Sequence, residues 1–217
     1  MRLQAIPAAL LFVATIGNAA QPALDPKAEA VIERSKTTPA TYTIFWRVIY
    51  LQGSGGSPEY DWGATFRKGP LVRVEDLKRR AVADCAAGTG TSFYLSIGRN
   101  DYESGKKIAK TYCGIDTDRK IRSTRWLGQK SSKFGLVDEV EIVDEDGTFT
   151  YQIAPAGELV GVTTSWRGSK DTVVVEPMSI EYAVPAGDLF SRMSLANSKV
   201  PKAIQSRASR ADNRPAN

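Results

Sequence analysis

The stretch A-T-Y-T-I-F-W-R-V-I-Y-L at residues 40–51 constrains the fold more than any other part of the chain. β-Branched and aromatic residues dominate it and nothing in it breaks pairing, so it reads as a β-strand. Alternation puts Tyr42, Ile44, Trp46, Val48 and Tyr50 on one side, and Thr41, Thr43, Phe45, Arg47, Ile49 and Leu51 on the other. Both sides carry apolar surface, and the fold has to dispose of it.

From Tyr60 onward the chain is a succession of strand-like runs: 60–68, 71–78, 91–97, 107–113, 120–127, 136–144, 148–154, 159–166, 172–175 and 178–184. Turn residues separate them, among them Gly69-Pro70, Gly88 to Gly90, Asp144 to Gly147, Pro155 to Gly157 and Gly168 to Asp171. With the first strand this gives about eleven, spaced for an antiparallel meander. Asp25 and Pro26 form a helix start, and Ala28, Val31 and Ile32 then fall on one side of a short helix ending near Ser35. Residues 100–107 read as a loop or helical turn. A last helix is predicted over 188–196, with Leu189, Phe190 and Met193 inward.

Residues 1–20 have one cation at Arg2, an apolar run from Ala5 to Ile16, and small residues at Gly17, Ala19 and Ala20, the pattern of a secretory signal. The expected division is a signal over 1–20, one domain over 21–196 and a disordered basic tail over 197–217, where almost nothing can be buried. The net charge of +5 comes from the two ends of the chain. Within the neutral body, 62–137 is basic and 138–190 is acidic, which suggests mutually compensating surfaces before it suggests a docking patch. An exported chain favours a disulfide between Cys85 and Cys113, with free thiols and metal ligation as alternatives.

Histidine is absent, which removes the commonest general base and metal ligand. Asp144 and Asp146 imitate the start of a calcium loop, but no bidentate glutamate closes the pattern. The G-S-G-G-S run at 53–57 lacks the lysine and helix start of a phosphate cradle and reads as a hairpin loop. K-I-R-S-T-R-W at 120–126 mixes cations with an aromatic, yet export and a neutral body argue against nucleic acid. No catalytic set, metal site or cofactor emerges, and the expectation is that the protein is not an enzyme.

The order of elements resembles the periplasmic lipoprotein-carrier family, the LolA/LolB-like fold shared with a sigma-factor regulatory sensor. The resemblance covers roughly 25–190. It runs through the opening helix and aromatic strand, G-A-T-F-R-K-G-P at 63–70, G-T-S-F-Y-L at 90–95, D-G-T-F at 146–149 and I-E-Y-A-V-P-A-G at 180–187. It implies an α+β protein: a curved antiparallel incomplete β-barrel of about eleven strands, with short helices covering a concave side and an apolar cavity beneath them. The implied lining is Tyr42, Ile44, Trp46, Val48 and Tyr50, joined by Phe93, Leu95, Ile97, Phe149, Tyr151, Ile153, Met178, Ile180 and Tyr182. A filled interior would use the same residues, so the sequence leaves both open.

Two positions depart from the family. Where the carriers have an arginine before the proline of the G-x-x-x-x-K-x-P turn, which helps fasten the helical lid, this chain has Gly69. The strand after it alternates Leu71, Arg73 and Glu75 against Val72, Val74 and Asp76, with little bulk. The function implied is a soluble periplasmic carrier or chaperone for an acyl chain, a lipoprotein or another hydrophobic ligand. The alternative is a periplasmic sensor or adaptor that binds a protein partner, at the membrane or in the periplasm, through the same scaffold.

Overall fold

The computed structural model describes residues 23–38, 40–96, 99–185 and 188–210, with backbone alone at 96 and 99–102. The segment predicted to be a secretory signal, 1–20, and Ile97 lie outside the described residues. Helix α1 (Pro26–Thr37) precedes strands β1 (Thr41–Leu51), β2 (Glu59–Lys68), β3 (Leu71–Asp76), β4 (Arg79–Asp84), β5 (Thr89–Ser96) and β6 (Arg99–Gly105). Helix α2 (Lys106–Tyr112) leads to β7 (Ser123–Ser132), β8 (Gly135–Val143), β9 (Gly147–Ile153), β10 (Leu159–Trp166) and β11 (Thr172–Glu181). A short 3₁₀ turn (Met193–Ala196) and helix α3 (Lys202–Ala208) close the described chain.

The strands form one antiparallel sheet in the order β6-β5-β4-β3-β2-β1-β11-β10-β9-β8-β7. The chain winds outward from β1 to one edge, crosses to the other edge through α2, and returns strand by strand until β11 pairs with β1. β6 and β7 do not pair with each other, so the barrel stays open, as the resemblance implied.

Residues directly opposite each other in paired strands share a face. Val140, Tyr151, Val162, Val175, Val48 and Asp61 form one such row across the sheet, on the concave face that carries α1 and α2. Phe45, Ala64, Glu75, Arg80 and Phe93 form the opposite row, on the convex face.

Asp25 caps α1 by accepting from the amides of Lys27 at 2.9 Å and Ala28 at 3.5 Å. The helix buries Ala28, Val31 and Ile32 against Val140, Ile142, Phe149, Tyr151 and Ile153. α2 replaces the strand predicted over 107–113. Its buried residues Ile108 and Ala109 and the cavity-facing Tyr112 recur at helical spacing, on a segment of Lys and Ala that favours helix. β4 and β6, which the sequence did not announce, supply the strands that keep the total at eleven, and the two runs predicted at 172–175 and 178–184 are one strand, β11. α2 lies on the concave face over Gly90, where an added Cβ would stand 2.8 Å from the Ile108 side chain.

Of the tail predicted as disordered over 197–217, residues 197–210 are ordered, and 211–217 lie outside the described residues. Residues 188–210 form an ordered strap over the convex face, with Leu189, Val200, Ile204 and Ala208 packed on Phe45, Trp62, Ala64 and Phe66, and Leu195 on Val82 and Phe93. The reason lies beneath it. Arg73 and Glu75 are fully buried and paired at 2.7 Å. Arg73 also donates to the carbonyls of Leu189 (2.9 Å), Ser194 (3.2 Å) and Asn197 (2.9 Å), and Glu75 accepts from the Ser198 hydroxyl (2.7 Å) and the Lys199 amide. A buried ion pair needs its remaining donors and acceptors satisfied, and here the strap backbone satisfies them. Within the strap Met193 points outward at 87% exposure, not inward as predicted, and Leu195 takes the buried place.

Candidate functional site: a cavity on the concave face

Three pieces meet around a cavity of about 300 Å³: the concave face of β1–β3 and β10–β11, the C-terminal end of α1, and the segment Thr111, Tyr112 and Gly114 at the end of α2. Tyr42, Trp46 and Val48 form the β1 wall. Val72, Val74, Leu159, Val162 and Val175 complete an apolar lining that the sequence reading did not name. Valine and leucine in β3, β10 and β11 are ordinary residues of a buried strand, so nothing in the sequence marked these particular ones as walls.

The other expected lining residues divide by position. Ile44 shares the β1 face but is fully buried among Val137, Ala154 and Val160, with Ile180 packed against the same cluster. Phe149, Tyr151 and Ile153 are concave as well, yet they form solid core beneath α1. Tyr50 stands 39% exposed beside a second hollow of about 420 Å³ that shares Val48 and Asp76 with the cavity and has Asp61, Lys78, Arg79 and Tyr94 at its rim.

Phe93 and Leu95 belong to the convex face under the strap, because pairing of β4 with β5 sets Phe93 opposite Arg80 in the Glu75 row. Met178 is also convex. The β1–β11 register shifts between Phe45 and Trp46, and this bulge turns Met178 toward Phe45 and the strap. Tyr182 lies beyond the end of β11 and is 65% exposed. The interior is thus neither wholly hollow nor wholly filled: the half beneath α1 is packed, and the half between α1 and α2 is open.

The lid is fastened without the arginine that the carriers place before the turn proline. Arg67 is buried and donates from Nε to the Gly69 carbonyl (3.0 Å) and from Nη2 to the Lys36 carbonyl at the end of α1 (3.4 Å). Arg34 donates to Asp138 Oδ2 at 2.6 Å, and the Trp126 indole donates to Oδ1 at 3.0 Å. Burial raises the Asp138 carboxyl, but Arg34 and Trp126 outweigh it and hold the group below the usual aspartate range. At the other end, Asp25 accepts from the Trp126 amide at 2.8 Å. Gly114 sits with φ +135°, and a Cβ there would stand 2.9 Å from Lys36 Cα, so glycine permits the link after α2 to close on α1.

Cys85 and Cys113 form a disulfide with Cα atoms 5.4 Å apart, which ties the end of α2 to the β4–β5 turn. Tyr112, the residue before Cys113, faces the cavity. Burial pushes its phenol up to about 12, with the Arg79 guanidinium acting in the opposite direction. Burial likewise raises the Tyr42 phenol, against the nearby Arg67. Both phenols therefore stay neutral near pH 7, and the Tyr112 hydroxyl is itself buried.

The acidic turns are structural. Asp144 Oδ1 accepts from the amides of Asp146 (2.8 Å) and Gly147 (3.0 Å), while Oδ2 pairs with Arg119 at 3.1 Å. Asp118 pairs with Lys110. The basic and acidic blocks also compensate across the β7–β8 hairpin, where Arg125 meets Glu141 (3.1 Å) and Lys130 meets Glu139 (3.2 Å).

No protein-family model and no curated protein matches the sequence. Solved structures do. An uncharacterized conserved protein from Thermus thermophilus aligns with a TM-score of 0.51 at 12% identity, over 82% of this chain and 97% of that one. A LolA superfamily protein from Nitrosomonas europaea aligns at 0.41 with 8% identity over 77% and 99%. The MucA/MucB complex of Pseudomonas aeruginosa aligns at 0.42 with 11% identity over 76% and 60%. At these identities the likeness is one of fold.

Proposed function

We propose that this protein is a periplasmic carrier that holds one acyl chain, or a hydrophobic ligand of similar girth, in the concave cavity and performs no chemistry on it. The observation that carries this reading is the apolar space of about 300 Å³ kept open between two fastened helices. Ligand pockets begin at about this size. At the ~30 Å³ that a water-sized group occupies in a liquid, it takes about ten such groups, which suits a single chain and not several. Affinity comes from apolar area removed from water, at roughly 25 cal/mol per Å².

The test is a fluorescent fatty-acid probe titrated into the protein, with native mass spectrometry of the purified chain beside it. Saturable one-to-one binding that is lost in Val175→Trp, whose indole would fill the cavity, supports the reading. Indifference of the wild type to such probes sinks it.

A second reading is a protein-binding adaptor, and the open sheet edge favours it. β7 pairs along one side with β8; on its other side, among the described residues, Ala23 bridges to Ser123 and Asp25 takes the Trp126 amide, leaving the stretch beyond Trp126 as a ladder that a partner strand could extend. Retention of one partner by the Val175→Trp variant as well as by the wild type would favour this adaptor over the carrier.

A further inference from the structure

The strap is more than cover for the convex face. Over 188–210 it carries five cations, Arg192, Lys199, Lys202, Arg207 and Arg210, and one carboxylate, Asp188 at its start. All five are exposed. The buried side chains (Leu189, Leu195, Val200, Ala208) are apolar and seated on the sheet, and the Ser194 and Ser198 hydroxyls turn in to Arg73 and Glu75. Apolar groups and the polar groups engaged by Arg73 and Glu75 thus point in, and the five cations are exposed. The 3₁₀ turn packs on β4 and β5 and α3 on β1 and β2, so the charged layer crosses five strands, roughly 20 Å at ~4.8 Å per strand. Met193, the most exposed large apolar side chain of the described residues, stands next to Arg192 in this layer.

We infer that the strap is a docking surface for an anionic phospholipid bilayer. The layer is broad and net positive, and its cations lie along a backbone pinned by buried bonds. A bilayer of anionic lipid is likewise broad, of one net sign and without shape. Met193 supplies one apolar contact at the level of the lipid head groups. An acidic protein partner would need charges placed to match, and the strap offers scattered cations on flexible stems. The strap and the cavity lie on opposite faces of the sheet, so the bilayer would hold the molecule by its back and leave the cavity open to the aqueous side. This inference rests on the strap and not on the carrier reading.

The full chain is sedimented with vesicles of phosphatidylcholine alone and with vesicles that also contain phosphatidylglycerol. Binding is expected only to the second kind, and it should weaken steeply as salt rises. Each cation near an anionic leaflet strengthens binding about fivefold, so the variant K202E/R207E/R210E should bind at least ~100-fold more weakly. Met193→Ser should lose a few-fold. These side chains are exposed, so both variants should keep the wild-type melting temperature and the wild-type response to a fatty-acid probe. Equal binding to both kinds of vesicle, no binding at low salt, or undiminished binding of the triple variant would each overturn the inference. Tight binding to an acidic polypeptide with none to phosphatidylglycerol would overturn it in favour of a protein partner.

Discussion

The two faces of β1 begin with similar problems and solve them differently. On the convex side Phe45, with Trp62, Phe66 and Phe93 on neighbouring strands, is sealed by the chain's own C-terminal segment. On the concave side Trp46 and Val48 look into a space that the chain leaves partly empty. The difference lies in what holds the cover down. The strap is held by Arg73 and Glu75, buried side chains that rise from the middle of the sheet into the covering backbone. The helices are fastened at their ends, by Arg34, Arg67, Asp25 and the disulfide, and each lies on its own part of the sheet, α1 on Val140, Phe149 and Tyr151 and α2 on Gly90. One continuous, centrally anchored cover gives a sealed layer; two covers fastened apart leave the gap between them open.

The sharpest way to break that contrast is Arg73→Met. It leaves Glu75 without its buried partner and takes a donor from three strap carbonyls, the one at Asn197 losing the guanidinium it relies on, and removing one member of a buried pair costs about 3–5 kcal/mol. Urea unfolding should report that loss. Trypsin should begin to cut within 188–210 at concentrations the wild type resists, while a fatty-acid probe still binds. A stable, uncut variant would mean that the apolar contacts alone hold the strap. Next in size is Cys85→Ser with Cys113→Ser. The bridge spans 28 residues, and its loss should cost about 3–4 kcal/mol in the chain-entropy model. Because Tyr112 adjoins Cys113, this variant should weaken probe binding, which Arg73→Met should not.

How much of this was legible in advance follows the same division. The first strand, the turns and the length of the sheet could be read because alternation and turn residues are local signals, and β10 matches its predicted bounds, 159–166. β4, R-R-A-V-A-D, was invisible because Ala has little preference for strands; its pairing with β3 and β5 decides the matter. Ile108, Lys110 and Tyr112 alternate as a strand would, while Ile108, Ala109 and Tyr112 also fit a helix, and packing over Gly90 decides for helix. For the site, Tyr42, Trp46 and Val48 were legible from one strand's periodicity. Phe93 and Met178 were misplaced because a face depends on register, and a single bulge reverses it. The strap was hidden because its order depends on two charged residues more than a hundred positions away.

A smaller effect tests how α1 is fastened. Asp138→Asn keeps an acceptor for Trp126 but removes the charge that Arg34 meets. The loss should be about 1–2 kcal/mol near pH 7, discounted because Arg34 is 34% exposed. The sign with pH follows from the lowered carboxyl of Asp138. Its stabilisation is complete above the unfolded aspartate value of about 3.9 and is lost as pH falls through the lower folded value. The melting temperatures of wild type and variant should therefore converge as the solution is acidified below pH ~4. Divergence on acidification would remove Asp138 from the fastening of α1.

The smallest effect sets the scale for all of these. Arg125 and Lys130 on β7 pair with Glu141 and Glu139 at distances close to that of Arg73 with Glu75, but their side chains are 65% and 60% exposed. Water already satisfies both partners there, and exposed pairs contribute about 0–1 kcal/mol. Arg125→Ala and Lys130→Ala should each change stability by less than ~0.5 kcal/mol in urea, and less again in high salt. If either approached the loss at Arg73, the β7 edge would be held by its charges, and burial could no longer explain why one cover is sealed and the other stands open.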